Sequence, residues 1–127
     1  MRQLTDHTVN GDSVNHQLAV EVLDEPGHGG ACHHYAIVLP EFLHGVPNLR
    51  AFTIAFQNGP IKEFGVNGVT HEALLAILID RMRGFQSGPF VCRDNAIALM
   101  HLEEALMWLQ RRTRERIKRG VEGTHER

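Results

Sequence analysis

The chain has 127 residues, of which 43% are hydrophobic and 22% charged, and this composition excludes wholesale disorder and favours a single globular domain. The formal net charge of -2 excludes a general basic coat for nucleic acid. The two cysteines, Cys32 and Cys92, lack CxxC spacing, which favours reduced thiols in a cytoplasmic protein. Residues 1–12 contain no signal-peptide core, and the longest apolar run, 73–79, is too short to span a bilayer. A soluble protein without a membrane partner is expected.

Three short segments carry apolar residues at every second position, which is the period of a half-buried strand. Residues 1–12, in contrast, are polar and are expected to form a loose arm. The alternating residues of the three segments are Leu18, Val20 and Val22, then Tyr35, Ile37 and Leu39, then Phe52, Ile54 and Phe56. The pattern predicts an antiparallel sheet of about three strands within residues 13–58.

The period then changes to that of a helix. Thr70 is expected to be the N-cap of a first helix, which Gly84 and the Ser-Gly-Pro cluster at 87–89 should end. Apolar side chains between Leu74 and Met82 lie all round this helix, so burial on more than one side is expected.

A second helix is expected over residues 93–119, with Gly120 as the residue that ends it and a frayed tail at 121–127. Its apolar seam has near-heptad spacing and consists of Ala96, Leu99, Leu102, Leu106 and Leu109. The predicted fold class is therefore α+β, a single domain over 1–127 in which the sheet packs with a helical hairpin at 70–119.

The sequence gives only weak signals for a catalytic site or a metal site. His28, Cys32, His33 and His34 are ligand types, but adjacent histidines on a strand point to opposite faces, so a polar strand start is the preferred interpretation. Any role for these four residues stays open. Cys92 near a helix start could be a reactive thiol, but the apolar residues before it favour a small buried core residue. No metal, no cofactor and no enzyme activity are predicted.

The strongest charge feature is the segment 111–119, which has six basic residues and one acidic residue. Arginine binds phosphate oxygens with two parallel hydrogen bonds, and Arg112 and Arg116 share a helix face with Trp108. The alternative is a solvated helix end whose cations suit the negative end of the dipole. In the hairpin turn, Phe85 and Phe90 could simply plug the core and Asn95 could simply cap the second helix, which are the commoner roles of those residue types.

Residues 59–125 resemble the Thoeris anti-defence phage sponge family, whose hairpin is shared with an anti-CBASS sponge. The strings that carry the resemblance are GVNGVT, GPFVCRDNA, LEEAL.WL and RGVEGTH. The resemblance implies a protein that sequesters cyclic ADP-ribose-type signals intact, with cyclic oligonucleotides as further ligands at a separate site whose residues it does not identify. It also suggests hexamers.

By the same resemblance, Phe85 would stack on a base, Asn95 would hydrogen-bond it, and Arg112 and Arg116 would hold phosphates. Chemistry alone adds three further candidates: Trp108, Arg111 and Arg93. The alternative function is a small nucleic-acid-binding protein that uses the basic end of the second helix. Which signal isomer is preferred does not follow from the sequence.

Helix geometry constrains this site. Asn95 and Arg112 are 17 positions apart, so on one helix they lie about 25 Å apart, which is too far for one small ligand. A homodimer at minimum resolves this, since antiparallel pairing of the second helix brings the turn of one chain to the basic end of the other.

Overall fold

In a computed structural model of the protein, residues 2–40 and 51–124 are described, and they form an α+β fold as predicted. The elements follow the chain as β1 (Arg2–Leu4), β2 (Ala19–Val22), β3 (His34–Val38), β4 (Ala51–Ala55), α1 (Ile61–Phe64), α2 (His71–Gln86) and α3 (Arg93–Lys118). Short 3-10 turns lie at Asn15–Gln17 and His28–Gly30. None of the helices in these ranges has the length and apolar character needed to cross a bilayer.

The chain divides into two compact units. One comprises Met1–Gly59 with Val66–Gly68, and the other comprises Pro60–Gly65 with Val69–Arg127. The first unit contains the sheet and the second contains the three helices. The expectations of a single domain and of a hairpin that covers the sheet stay predictions.

The sheet is antiparallel with strand order β1-β2-β3-β4. The three strands predicted from alternation are confirmed as β2, β3 and β4, but the expectation of a loose arm over residues 1–12 is wrong for Arg2–Leu4. Arg2 pairs with Val22 and Leu4 with Val20, so the start of the chain is a fourth strand. Three residues are too few to show a period of two, so only the pairing reveals this strand.

Asp24 organises the entry into β3. Its carboxylate accepts the backbone N–H of His33 at 3.0 Å and that of His34 at 3.2 Å, and it lies 3.4 Å from the His34 ring. His33 is buried, with Nε2 3.1 Å from the carbonyl oxygen of His28. The interpretation of a polar strand start holds for His34, which is exposed and begins β3, whereas His28 lies in a 3-10 turn. Within 2–40 and 51–124, no group of three or more His, Cys, Asp or Glu is arranged to hold a metal ion.

These hydrogen bonds make an acid-sensitive contribution to stability. Burial raises the pKa of the Asp24 carboxyl, but the backbone N–H groups of His33 and His34 and the His34 ring outweigh it, so the pKa lies below its usual value. A carboxyl with a depressed folded pKa stabilises the fold above its unfolded pKa of about 4, and this stability is lost as the pH falls through the folded pKa.

We expect Asp24→Asn to be less stable than the native protein at pH 7 and to lose less stability between about pH 5 and pH 3. Urea unfolding across this range measures both effects, and equal pH slopes for the two proteins would refute the role of Asp24. The N–H of Val9 lowers the pKa of the Asp12 carboxyl. Because Asp12 is present in both the native protein and the variant, it adds a similar pH dependence of stability to both.

α2 begins as the sequence predicts, because the Thr70 hydroxyl accepts the N–H of Ala73 at 3.1 Å. It continues past Gly84 to Gln86 and ends at the predicted Ser-Gly-Pro cluster, with Ser87 as its C-cap. The prediction of burial on several sides is wrong for the single chain. Ile79 is 3% exposed, whereas Ile77 is 64% exposed, because the hairpin covers only one face of the helix.

α3 is one continuous helix of 26 residues, ten longer than α2. The four leucines of its predicted seam are half-buried, but Ala96 is exposed and Asn95 takes its place. Half-buried residues follow at intervals of four and three along one face: Asn95, Leu99, Leu102, Leu106, Leu109, Thr113 and Arg116. This is a heptad seam, and it includes two of the candidate ligand-binding residues.

Candidate functional site

A pair of hydrogen bonds closes the turn between α2 and α3. The Gln86 side chain accepts the N–H of Cys92 and donates to its carbonyl oxygen, both at 3.2 Å. Cys92 is exposed, and its Sγ accepts the N–H of Asn95 at 3.4 Å as the N-cap of α3. The prediction of a buried core cysteine is therefore wrong. The alternative of Asn95 as the cap is also wrong, because Cys92 occupies that position.

The same closure holds Phe85 and Asn95 at one end of the hairpin. Phe85 immediately precedes Gln86, and Asn95 lies in the first turn of α3, bonded through its N–H to Cys92. The Asn95 side chain is half-buried, and among the described residues its amide group has no hydrogen-bond partner. A half-buried amide in that state has its donor and acceptor capacity available to a ligand.

The Phe85 ring is held by two neighbours. The Phe90 ring lies 6.3 Å away at a tilt of 58°, and the Arg81 guanidinium carbon lies 5.0 Å from the Phe85 ring centroid. Phe85 is half-buried and Phe90 is 69% exposed, so Phe90 does not plug the core of this chain. An oriented and partly exposed ring provides a stacking surface for a flat aromatic ligand.

At the other end of α3, Arg112 is exposed and, within the described part of the chain, pairs with no carboxylate. Trp108 is 56% exposed, and the Arg111 guanidinium carbon lies 5.5 Å from the centroid of its ring. Arg112 is one turn beyond Trp108, so an arginine and an indole with exposed surface share this part of the helix.

Arg116 is placed differently from Arg112. Its Nη2 donates to the carbonyl oxygens of Val121 at 3.1 Å and Thr124 at 2.8 Å. Gly120, at a φ of 73°, ends α3 as predicted, and its N–H donates to the carbonyl of Ile117 while that of Val121 donates to the carbonyl of Arg116. This is a Schellman motif, in which a left-handed glycine lets the chain reverse direction.

The reversed segment is also bound by α1, because the N–H of Lys62 donates to the carbonyl of Gly123 at 3.1 Å. Residues 121–124 are half-buried, so the prediction of a frayed tail is wrong for them, and 125–127 lie outside the described residues. The composition of this segment is polar, and hydrogen bonds to its carbonyl oxygens, rather than burial of apolar side chains, keep it in place.

Arg116→Ala is expected to release the tail and to destabilise the fold by about 1–2 kcal/mol, because it removes a charged donor from two carbonyl oxygens. Hydrogen–deuterium exchange should then accelerate in peptides that cover 121–124 and in the amide of Lys62. Arg112→Ala is the matched control on the same helix and should leave both unchanged. Equal exchange in the native protein and in Arg116→Ala would show that Arg116 does not anchor the tail.

The candidate residues therefore fall into two groups. Phe85 and Asn95 are at the turn, whereas Trp108, Arg111, Arg112 and Arg116 lie along the far part of α3. Since α3 is unbroken, Asn95 and Arg112 are about 25 Å apart in one chain. Arg93 is near the turn in sequence, but it lies about 200° around the helix from Asn95 and points away from it. Sequence reasoning missed Arg81 and Gln86, although the spacing of four between Arg81 and Phe85 is a signal that could have found Arg81.

Comparison with known proteins places this hairpin in a family. The family model described as Acb2/Tad1, hairpin domain, matches residues 48–114, which is just over half of the chain. A curated relative named Thoeris anti-defense 1, from Bacillus phage SBSphiJ7, is 58% identical over 74 residues, or 58% of this chain. The match spans about half (52%) of that relative's length. This chain belongs to the Acb2/Tad1 hairpin-domain family.

Proposed function

We propose that the protein is a phage anti-defence sponge, which binds cyclic ADP-ribose-type immune signals in the bacterial cytoplasm and holds them without degrading them. The observation that carries the proposal is the composition of the two hairpin ends. One end offers an aromatic ring and an amide without a hydrogen-bond partner among the described residues, and the other offers an exposed arginine without a carboxylate partner there. A nucleotide base can stack on the ring and hydrogen-bond to the amide, and phosphate groups can pair with the arginine.

Neither set forms a complete site within one chain, and a second copy would complete it. In an antiparallel pair of α3 helices related by a two-fold axis between residues 103 and 104, Asn95 of one chain lies level with Arg112 of the other. The same axis brings Met100 of one chain opposite Met107 of the other, and these two side chains are 54% and 48% exposed. Both methionines lie on the side of α3 opposite the leucine seam. This register brings the two halves of the site level along the helix axis, and because Asn95 and Arg116 lie on the leucine seam, the register and not the methionine contact supports the shared pocket.

We therefore propose two equivalent pockets per homodimer, each with Phe85 and Asn95 from one chain and Arg112 from the other, where Arg116, whose Nη2 donates to the tail carbonyls, adds positive charge beside the phosphates. Trp108 and Arg111 would lie beside the phosphates, while Arg93, across the helix from Asn95, is the least supported of the candidates. Hexamers built from such dimers, and a separate site for cyclic oligonucleotides, belong to the same proposal, which does not assign residues to that second site.

The alternative of a nucleic-acid-binding protein is less well supported. The six basic residues of 111–119 lie in two rows on different sides of the α3 end, with Arg111, Arg114 and Lys118 in one and Arg112, Arg116 and Arg119 in the other. Each row is only about two turns long, and Arg116 in the second row donates to its own tail, so neither row is the long basic stripe that a nucleic-acid backbone would follow. A backbone-binding surface would give a steep fall of affinity with salt, whereas a ligand with two phosphates gives a shallow one.

The experiment that tests the proposal follows the fate of the ligand. The protein is incubated with cyclic ADP-ribose isomers, freed of unbound ligand, heat-denatured, and the released molecule is identified by mass spectrometry. Intact ligand supports a sponge. Altered product would show an enzyme, and no retained ligand for any isomer would overturn the proposal. Light scattering of the loaded protein should give at least a dimer, and a tight-binding monomer would refute the shared pocket.

A further inference from the structure

Two arginines near the end of α2 have different partners. Arg83 Nη2 lies 2.7 Å from the Glu103 carboxylate and forms an ion pair across the hairpin. Arg81, two residues earlier, lies about 200° around the helix from Arg83, and its guanidinium is over the Phe85 ring instead. Among the described residues Arg81 pairs with no carboxylate, so its charge is compensated only by the face of the ring.

The position of this guanidinium matters because of what Phe85 is proposed to bind. The centroid of the Phe85 ring is 5.0 Å from the Arg81 guanidinium carbon. The guanidinium covers one face of the ring, so a base stacked on the opposite face lies close to this exposed arginine, and its sugar and phosphates extend past the ring edge beside it. A planar guanidinium can both stack on aromatic faces and donate two hydrogen bonds to phosphate oxygens.

We propose that Arg81 is a further specificity-determining residue of the pocket, which makes the base-binding end selective for phosphate-bearing nucleotides over uncharged nucleosides. This inference rests on the proposed function. It adds a cation from the chain that supplies the base-binding end, and that cation acts together with Arg112 of the other chain. The ring positions the guanidinium before the ligand arrives, so the flexible side chain loses less entropy on binding.

The test compares Arg81→Gln with the matched variant Arg83→Gln, which removes an equal charge one half-turn away. Affinity is measured by calorimetry for a cyclic ADP-ribose-type ligand and for adenosine, each at several salt concentrations. Arg81→Gln should weaken nucleotide binding roughly tenfold and reduce the salt dependence, with little change for adenosine. Arg83→Gln should bind like the native protein.

Three outcomes are distinguishable. If native protein and Arg83→Gln bind the nucleotide, and Arg81→Gln binds it equally well with the same salt dependence, the role of Arg81 is refuted while the sponge stands. If the native protein binds no nucleotide, the proposed function itself fails. If Arg81→Gln weakens both ligands equally, Arg81 orients the ring without selecting phosphate, and the inference is overturned. Arg81→Lys keeps the charge without the planar fork and should recover part of the nucleotide affinity.

Discussion

Phe85→Ala and Arg112→Ala should each abolish retention of a cyclic ADP-ribose-type ligand through gel filtration, while the fold stays intact. Loss of base stacking costs about 1–3 kcal/mol, and loss of a charged hydrogen bond to phosphate costs a similar amount, so each variant should bind some ten to a hundred times more weakly. Calorimetry gives the affinity, and thermal unfolding gives the stability.

The controls follow from the surroundings of each residue. Arg114→Ala removes an exposed cation from the other side of α3 and should retain ligand like the native protein. Phe85 contacts Phe90 and Arg81, which are themselves exposed, so its removal should shift the unfolding temperature only slightly. If Phe85→Ala unfolded instead, Phe85 would be a core residue. If it folded and retained ligand, stacking on Phe85 would be excluded.

The sequence predicted those elements whose patterns are long or chemically marked. Thr70 begins α2 because its hydroxyl caps the helix, and Gly120 ends α3 because a left-handed residue is needed there. The leucine seam of α3 is visible in the sequence because four leucines repeat at intervals of three and four. These are local rules, and local rules can be evaluated without knowing the rest of the fold.

The errors arise where a partner distant in sequence determines the structure. Arg2–Leu4 forms a strand because it pairs with Val20–Val22, and no property of three residues signals that pairing. The tail at 121–124 is ordered through Arg116 and Lys62 rather than through its own composition. Cys92 follows Phe90 and Val91, which led to the prediction of burial, yet both neighbours are more than half exposed. Apolar residues in a turn do not determine burial when the turn has no second layer over it.

The candidate site shows the same division. The resemblance and helix arithmetic supplied Phe85, Asn95, Arg112 and Arg116 and their separation, and the unbroken α3 gives that separation a rigid basis. The sequence did not predict the side-chain partners, and it is these partners that distinguish the arginines from one another. Arg83 pairs with Glu103, Arg81 with a ring, and Arg116 with tail carbonyls. Residue type is the same in all three, so only the contacts separate their roles.

A shared pocket predicts that two inactive variants restore binding when they are mixed. In a heterodimer of Phe85→Ala and Arg112→Ala, one pocket carries both defects and the other carries none. Co-expression with two different tags, followed by isolation of the dimer that carries one copy of each tag, should therefore recover about half of the native ligand stoichiometry. Each variant co-expressed with itself should recover none.

The reciprocal pairing makes the prediction decisive. When a chain with both substitutions is paired with a native chain, each shared pocket receives one defect, so retention should be lost although half of the chains are native. A pocket built within one chain predicts the opposite in both experiments, with none retained by the mixed single variants and about half retained by the double variant with its native partner. A shared pocket and a pocket within one chain therefore predict opposite results for the two pairings. The two pairings contain the same substitutions and have the same dimer composition and total charge. Because folding defects would lower retention in both pairings alike, only the location of the pocket can produce this reversal.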